Sequence, residues 1–222
     1  VADCTGHGVP GAFLTMLGIS FLNEITITDK RLKPSEIIDE LRNRIIKELG
    51  QTGKAVERND GFPAGTSVKE VMDISIASIN LKTYEMEWSG ANNPLYIIAN
   101  SGEVKNEISL VAPSSVSNGY SILFEIKADK QPVGYFPDPK PFTNKKFRLQ
   151  MGDSVFLFSD GFADQFGGPR GKKFKYSQFE KLLLACQDKP MPEQKDILNS
   201  EIEKWKAWPT PEGGVRNLEQ ID

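Results

Sequence analysis

The apolar spacing of this chain changes period twice, and that order restricts the fold more than any single residue does. From Ala12 to Ile25 apolar residues fall almost all round (Phe13, Leu14, Met16, Leu17, Ile19, Phe21, Leu22, Ile25), which predicts a buried helix. Ser35 is read as the cap of a second helix, with Ile37, Ile38, Leu41, Ile45, Ile46 and Leu49 at helical spacing. From Met72 the period becomes that of strands. Asp73–Ile79 alternates, and Tyr84–Trp88 and Leu95–Ala99 follow across the turn residues Gly90, Asn92, Asn93 and Pro94. Further strands are expected at Ile122–Ile126, Lys146–Leu149 and Ser154–Ser159, the last stopped by Asp160-Gly161. Helical spacing returns at Tyr176–Cys186 and Pro192–Trp205. Helices, then strands, then helices favour an antiparallel α+β fold over a doubly wound parallel sheet.

Polar, glycine-rich or proline-rich stretches at Gly50–Thr66, Val111–Tyr120 and Trp208–Asn217 read as loops, and Ser101-Gly102 as a hairpin turn. No repeat and no linker interrupts the pattern, so residues 1–222 are expected to form a single domain. The net charge of −3 argues against nucleic acid or an anionic membrane surface as partner. Cys4 and Cys186 are the only cysteines, which excludes a disulfide framework and a Cys-rich zinc site and fits a reducing compartment. No apolar run approaching the roughly 20 residues of a membrane span is read, and no signal peptide.

Two strand ends carry an aspartate followed by a glycine or another small residue: Val1-Ala2-Asp3-Cys4 and Phe158-Ser159-Asp160-Gly161. Two carboxylates about 4 Å apart would repel by roughly 4 kcal/mol at an effective dielectric near 20. A cation between them removes that penalty, and hard oxygen ligands suit Mg²⁺ or Mn²⁺. The competing reading is that each aspartate caps a turn or a helix. Gly6-His7-Gly8-Val9-Pro10-Gly11 also fits the dinucleotide pattern Gly-x-Gly-x-x-Gly. That pattern needs a second strand ending in an acidic residue about 20 positions on, and here a long apolar helix follows. Pro10 suits a helix start. His7, the one histidine, has no nucleophile elbow to serve, so a local hydrogen bond is favoured over acid–base work. Cys4 lacks the Cys-x5-Arg loop of cysteine phosphatases, which favours a backbone role. Trp88, Trp205 and Trp208 read as packing, and the Lys145-Lys146 and Lys172-Lys173 pairs as solvated surface.

Five blocks together resemble the SpoIIE/RsbU-type protein serine phosphatases, a bacterial branch of the metal-dependent PP2C (PPM) superfamily. They are Asp3-Cys4-Thr5-Gly6-His7-Gly8-Val9-Pro10-Gly11-Ala12, Met72-Asp73-Ile74, Gly90-Ala91-Asn92-Asn93-Pro94-Leu95-Tyr96, Asp129-Lys130-Gln131-Pro132-Val133-Gly134 and Gly152-Asp153 through Asp160-Gly161. The resemblance implies an antiparallel β-sandwich flanked by helices, in α-β-β-α layers, with a two-metal site at one end. It implies that Asp3 bridges two Mn²⁺ or Mg²⁺ ions, that the backbone carbonyl of Cys4 is a further ligand, and that Asp160 is the second metal aspartate. Asn217–Asp222 resembles the approach to the family's Asp-Asp-Ile or Asp-Asp-Met element, which makes Asp222 a further metal aspartate.

By the same resemblance, a Gly-Asp-Phe-Tyr strand would lie before Val1 and a last strand after Asp222. The chain is therefore expected to be part of a larger protein, truncated at both ends of the domain and weakly active or inactive as it stands. The position where eukaryotic relatives place a histidine behind the bridging aspartate holds Thr5, which keeps His7 from being assigned as general acid. The implied reaction is direct hydrolysis of phosphoserine or phosphothreonine on a STAS-type anti-anti-sigma protein by a metal-activated water, within sigma-factor regulation. An N-terminal sensor domain, a homodimer, and a cytoplasmic location (in some members behind a membrane anchor) are the associated expectations. The alternative from another class is a non-catalytic module of the same fold that binds a phosphoprotein.

Overall fold

In the computed structural model, residues 1–6, 8–29, 32–51, 70–100, 114–209 and 215–217 are described below. The predicted turn at Ser101-Gly102, most of the Gly50–Thr66 loop, His7 and Asp222 lie outside them. The chain divides into two compact units, Val1–Leu95 with Lys127–Gln150, and Tyr96–Ile126 with Met151–Asp222.

The first unit holds a four-stranded antiparallel sheet in the order β1 (Ala2–Cys4), β2 (Met72–Ile79), β3 (Glu85–Ala91), β7 (Lys145–Arg148). Two helices, α1 (Gly8–Thr28) and α2 (Pro34–Glu48), cover one face of it. The core joins Leu14 and Ile25 of α1, Ile38, Leu41 and Ile45 of α2, and Met72, Ile74 and Ala91 of the sheet. Period 2 in β2 turns Met72 and Ile74 toward the helices and Asp73 and Ser75 to the other face. On that other face Ser75 Oγ accepts a 2.8 Å hydrogen bond from the buried Trp88 indole N–H.

Three expectations change here. Ser35 is not the cap of α2: Lys33 holds that position and Pro34 opens the helix. Proline suits the first helical position because it has no N–H to leave unsatisfied, and Glu36 Oε2 accepts the Lys33 backbone N–H at 2.8 Å. Helix α1 is not buried all round. Leu14, Gly18 and Ile25 face the core, whereas Val9 is 83% and Met16 71% exposed, with Phe13, Ile19 and Ile27 exposed beside them. Apolar residues on every side of a helix predict burial only where every side meets a partner, and among the described residues α1 packs on one side. Finally, α1 spans 21 residues at mean hydropathy 1.3, which is long and apolar enough to cross a membrane by length and composition. Gly18, Ser20, Asn23 and Glu24 break the apolar run and hide that property from a reading by eye.

The second unit holds another four-stranded sheet, in the order β5 (Ser114–Ser117), β6 (Ser121–Ile126), β4 (Leu95–Asn100), β8 (Ser154–Leu157). After β8 come the short helix α3 (Gly161–Asp164), the hairpin β9 (Phe166–Gly167) and β10 (Lys172–Lys173), and the helices α4 (Tyr176–Cys186) and α5 (Met191–Lys206). Its core is aromatic: Tyr96, Phe174 and Phe179 with Ile98, Leu123, Leu183 and Leu184, joined by Phe156, Phe158, Phe162 and Trp205. Two expected loops carry strands instead. Ser114–Ser117 pairs with β6, and Ala207–Pro209 (β11) pairs with Val215–Asn217 (β12). Serine, proline and glycine in these stretches read as loop, but ladder hydrogen bonds to a neighbouring strand override such weak local preferences.

Candidate active site

Asp3 lies in the middle of β1, directly opposite Asp73 of β2. Backbone hydrogen bonds join Val1 to Ser75 (2.9 Å from the Ser75 N–H) and Thr5 to Val71 (2.9 Å from the Thr5 N–H). Alternation along an antiparallel ladder makes Asp3–Asp73 a hydrogen-bonded pair as well, and turns the N–H and C=O of Cys4 away from β2. The Cys4 carbonyl is thus not spent on the β2 ladder. Partial burial pushes the pKa of its thiol up, a hydrogen bond with Thr15 opposes that, and the Asp3 charge adds to it.

The glycine turn after Cys4 is set by backbone demands. Gly6 (φ +94°) and Gly8 (φ +68°) both adopt left-handed conformations. A Cβ on Gly11 would lie 2.5 Å from the Gly6 carbonyl oxygen, so α1 begins tight against the turn only because residue 11 lacks one. Thr5 ties the turn down, its Oγ1 donating to the Val71 carbonyl (2.8 Å) and accepting from the Val71 N–H (2.9 Å). The three glycines of Gly-x-Gly-x-x-Gly therefore serve an Asp–turn–helix junction, not a dinucleotide.

The turn between β3 and β4 supplies the next group. Asn92 sits at φ +57° and donates from its side-chain amide to Asp73 Oδ1 at 2.8 Å. The Asp129–Gly134 block holds this turn in place. Asp129 exchanges backbone hydrogen bonds with Asn92 (2.9 Å) and Gly90 (3.0 Å), while its carboxylate accepts the N–H (2.7 Å) and hydroxyl (3.0 Å) of Thr143. Val133 and Met72 exchange two backbone bonds of 2.8 Å. The Asp129–Gly134 motif is structural: it stitches the β3–β4 turn and β2 together.

Asp160, in the second unit, ends the run after β8 and stands at the N-terminus of α3. Its backbone carbonyl accepts the Asp164 N–H at 2.8 Å, but its carboxylate makes no capping bond. The chain flanking Asp160 is anchored by aromatic rings: Phe158 lies 4.6 Å from Tyr96 and 5.2 Å from Phe179, and Phe162 lies 4.8 Å from Phe179.

Asp3 with Asp73 offers hard oxygens of the kind Mg²⁺ and Mn²⁺ take, and Asp160 offers another beside a glycine. The residue chemistry therefore fits a divalent ion. Among the described residues no three His, Cys, Asp or Glu side chains converge on one point. The open groove lined by Phe21, Glu40, Asn43, Arg44, Lys47 and Glu48 adds no candidate, since Arg44 is committed to Glu24 and Glu40. Sequence reasoning gave Asp73 and Asn92 no role. Their motif blocks were visible, but only the strand register brings them to Asp3.

Two antiparallel sheets with their helices define a PP2C-type α+β phosphatase fold. The profile of the stage II sporulation protein E (SpoIIE) family matches residues 1–211, and the chain belongs to that family of protein serine/threonine phosphatases, which are metal-dependent. The fold is similar to the SiaA PP2C domain of Pseudomonas aeruginosa (TM-score 0.68, 23% identity, 92% of this chain and 67% of that one). It is also similar to the PP2C phosphatase domain of SpoIIE, with a fragment of its regulatory domain, from Bacillus subtilis (TM-score 0.58, 14% identity, 97% of this chain and 50% of that one). The RsbU and RsbW domains of a Mycobacterium tuberculosis protein match at TM-score 0.55 and 16% identity, over 97% of this chain and 48% of that one. No curated protein matches.

Proposed function

We propose that this chain provides the catalytic part of a phosphatase that hydrolyses phosphoserine or phosphothreonine on a regulatory protein. Asp3, the carbonyl of Cys4, Asp160 and Asp222 are its metal-binding groups, for two Mn²⁺ or Mg²⁺ ions. The observation that carries this reading is the family match over residues 1–211, which includes Asp3 within β1 and Asp160 at the start of α3. When bound, such ions bind phosphoryl oxygens and lower the pKa of water so that it attacks at neutral pH. The chain's own work is positional. β1 and its glycine turn hold Asp3 and aim the Cys4 carbonyl outward from β2, and the aromatic anchors on either side of Asp160 limit its movement. Cys4 lacks the Cys-x5-Arg loop on which a covalent phosphocysteine route depends.

For the substrate, the reading favours a STAS-type anti-anti-sigma protein, because one similar structure contains RsbU and RsbW domains. A cytoplasmic setting and a sensor or regulatory domain elsewhere in the parent protein belong to the same proposal. The test uses the full-length protein with a phosphorylated STAS-type partner and Mn²⁺. Asp3→Asn and Asp160→Asn should each lower phosphate release by at least about 100-fold without lowering the melting temperature of the ion-free protein in EDTA. Unchanged metal-dependent turnover in both variants would sink the proposal. Retained phosphoprotein binding with no turnover in the wild type would support the non-catalytic module instead.

A further inference from the structure

Asp73 faces Asp3 across the β1–β2 ladder, on the face of the sheet that the helices do not cover. Hydrogen-bonded partners in an antiparallel pair have Cα atoms about 5.5 Å apart, and like charges directly opposite one another destabilise the pair. The repulsion falls on a weak point, because β1 has only three residues and stands at the end of its sheet. The arrangement is nonetheless built. Asn92 fixes Asp73 with a 2.8 Å amide bond, from a turn held by Asp129 on two backbone hydrogen bonds. An exposed amide–carboxylate bond of this kind adds little net stability, so stability alone does not account for a clamped turn that aims an amide at a carboxylate.

We infer that Asp73, oriented by Asn92, is a positioning residue for the divalent ion held by Asp3, and that ion binding and the docking of β1 on β2 are linked through this pair. The inference rests on the proposed metal role of Asp3. Without an ion the two carboxylates push β1 away from β2. A dication turns that repulsion into shared attraction, so the same ion that serves the reaction fastens the strand that carries Asp3. A second negative charge also favours a divalent over a monovalent ion. Asp73 acts here through charge and through water on the ion, as the outer partners of metal ligands commonly do.

Mn²⁺ titration of the full-length protein by calorimetry, with thermal melting in EDTA and in Mn²⁺, tests this without any turnover measurement. Asp73→Asn is expected to raise the Mn²⁺ dissociation constant roughly 10–100-fold. It should also raise the melting temperature of the ion-free protein by about 1–3 °C, while shrinking the rise that Mn²⁺ produces. A purely structural Asp73 would move the ion-free melting temperature down and leave the affinity alone. Asn92→Gly keeps the left-handed turn and deletes the amide, so it covers the case in which Asp73→Asn folds poorly; it should weaken Mn²⁺ binding about 10-fold or less. Wild-type affinity in both variants overturns the inference and leaves the proposed function standing. No Mn²⁺ binding by the wild type overturns both.

Discussion

Each unit holds one of the two aspartates, Asp3 within β1 and Asp160 at the start of α3, but they are secured by different physics. In the first unit Asp3 depends on main-chain geometry: a three-residue strand, two glycines at positive φ, a threonine tie to Val71, and a turn held by Asp129. In the second unit Asp160 depends on bulk, since Phe158 and Phe162 on either side of it are packed into an aromatic core with Tyr96, Phe174 and Phe179. Hydrogen-bonded frames fail locally, one tie at a time. Close-packed ring clusters fail together, because each ring supports several others. The second aspartate should therefore be lost only when its unit unfolds, and the first when a single strand lifts.

The largest effect expected from this contrast is on Phe179, which touches Tyr96, Phe158 and Phe162. Phe179→Ala should cost about 3–5 kcal/mol, read as an early melting transition of the second unit. Loss confined to one or two exchanging amides would contradict the cluster argument. Next comes Gly168, at φ +66°, where a Cβ would lie 2.4 Å from the Trp205 indole. Gly168→Ala should cost about 2–4 kcal/mol from overlap and left-handed strain combined, measured by urea unfolding.

In the first unit, Thr5→Val removes the side-chain tie to Val71 and should cost only about 1 kcal/mol. Hydrogen exchange should quicken at β1 and the glycine turn, with α2 unaffected; global loosening would erase the distinction drawn between the units.

The smallest effect concerns Glu180, which accepts the Tyr96 hydroxyl at 3.1 Å. Burial raises its carboxyl pKa and the nearby Glu125 charge adds to that, while the Tyr96 bond opposes it. A carboxyl whose folded pKa is raised contributes stability that is complete below its unfolded value, near 4.5, and is lost as pH rises through the higher folded value. Glu180→Gln should therefore remove a shallow fall in melting temperature above about pH 4.5. A variant that keeps the wild-type slope would place that titration elsewhere.

Much was legible in the sequence because it depends on neighbours along the chain. Helix α4 falls where its spacing puts it, and β2, β4 and β6 begin within a residue of expectation, since period and turn chemistry are local properties. The Asp–glycine–helix junction at Asp3 was equally readable, because positive φ selects glycine at Gly6 and Gly8. Helix α2 lost its expected cap because proline at its first position outweighs serine at its second, a competition that composition does not rank.

The sequence by itself determined the α+β class and the family, both carried by motifs whose residues lie a few positions apart; it expected Asp3 and Asp160 at strand ends, and the structure sets Asp3 within β1 and Asp160 at the start of α3. Only the tertiary structure decided that α1 buries one side and exposes another, that β5 and the β11–β12 hairpin exist, and that Asp73 and Asn92 belong with Asp3. Those outcomes rest on pairings between residues far apart in the chain. A one-residue change of register would turn Asp73 to the helix side. No local preference encodes that choice; the buried contacts of Met72 and Ile74 with the helices make it.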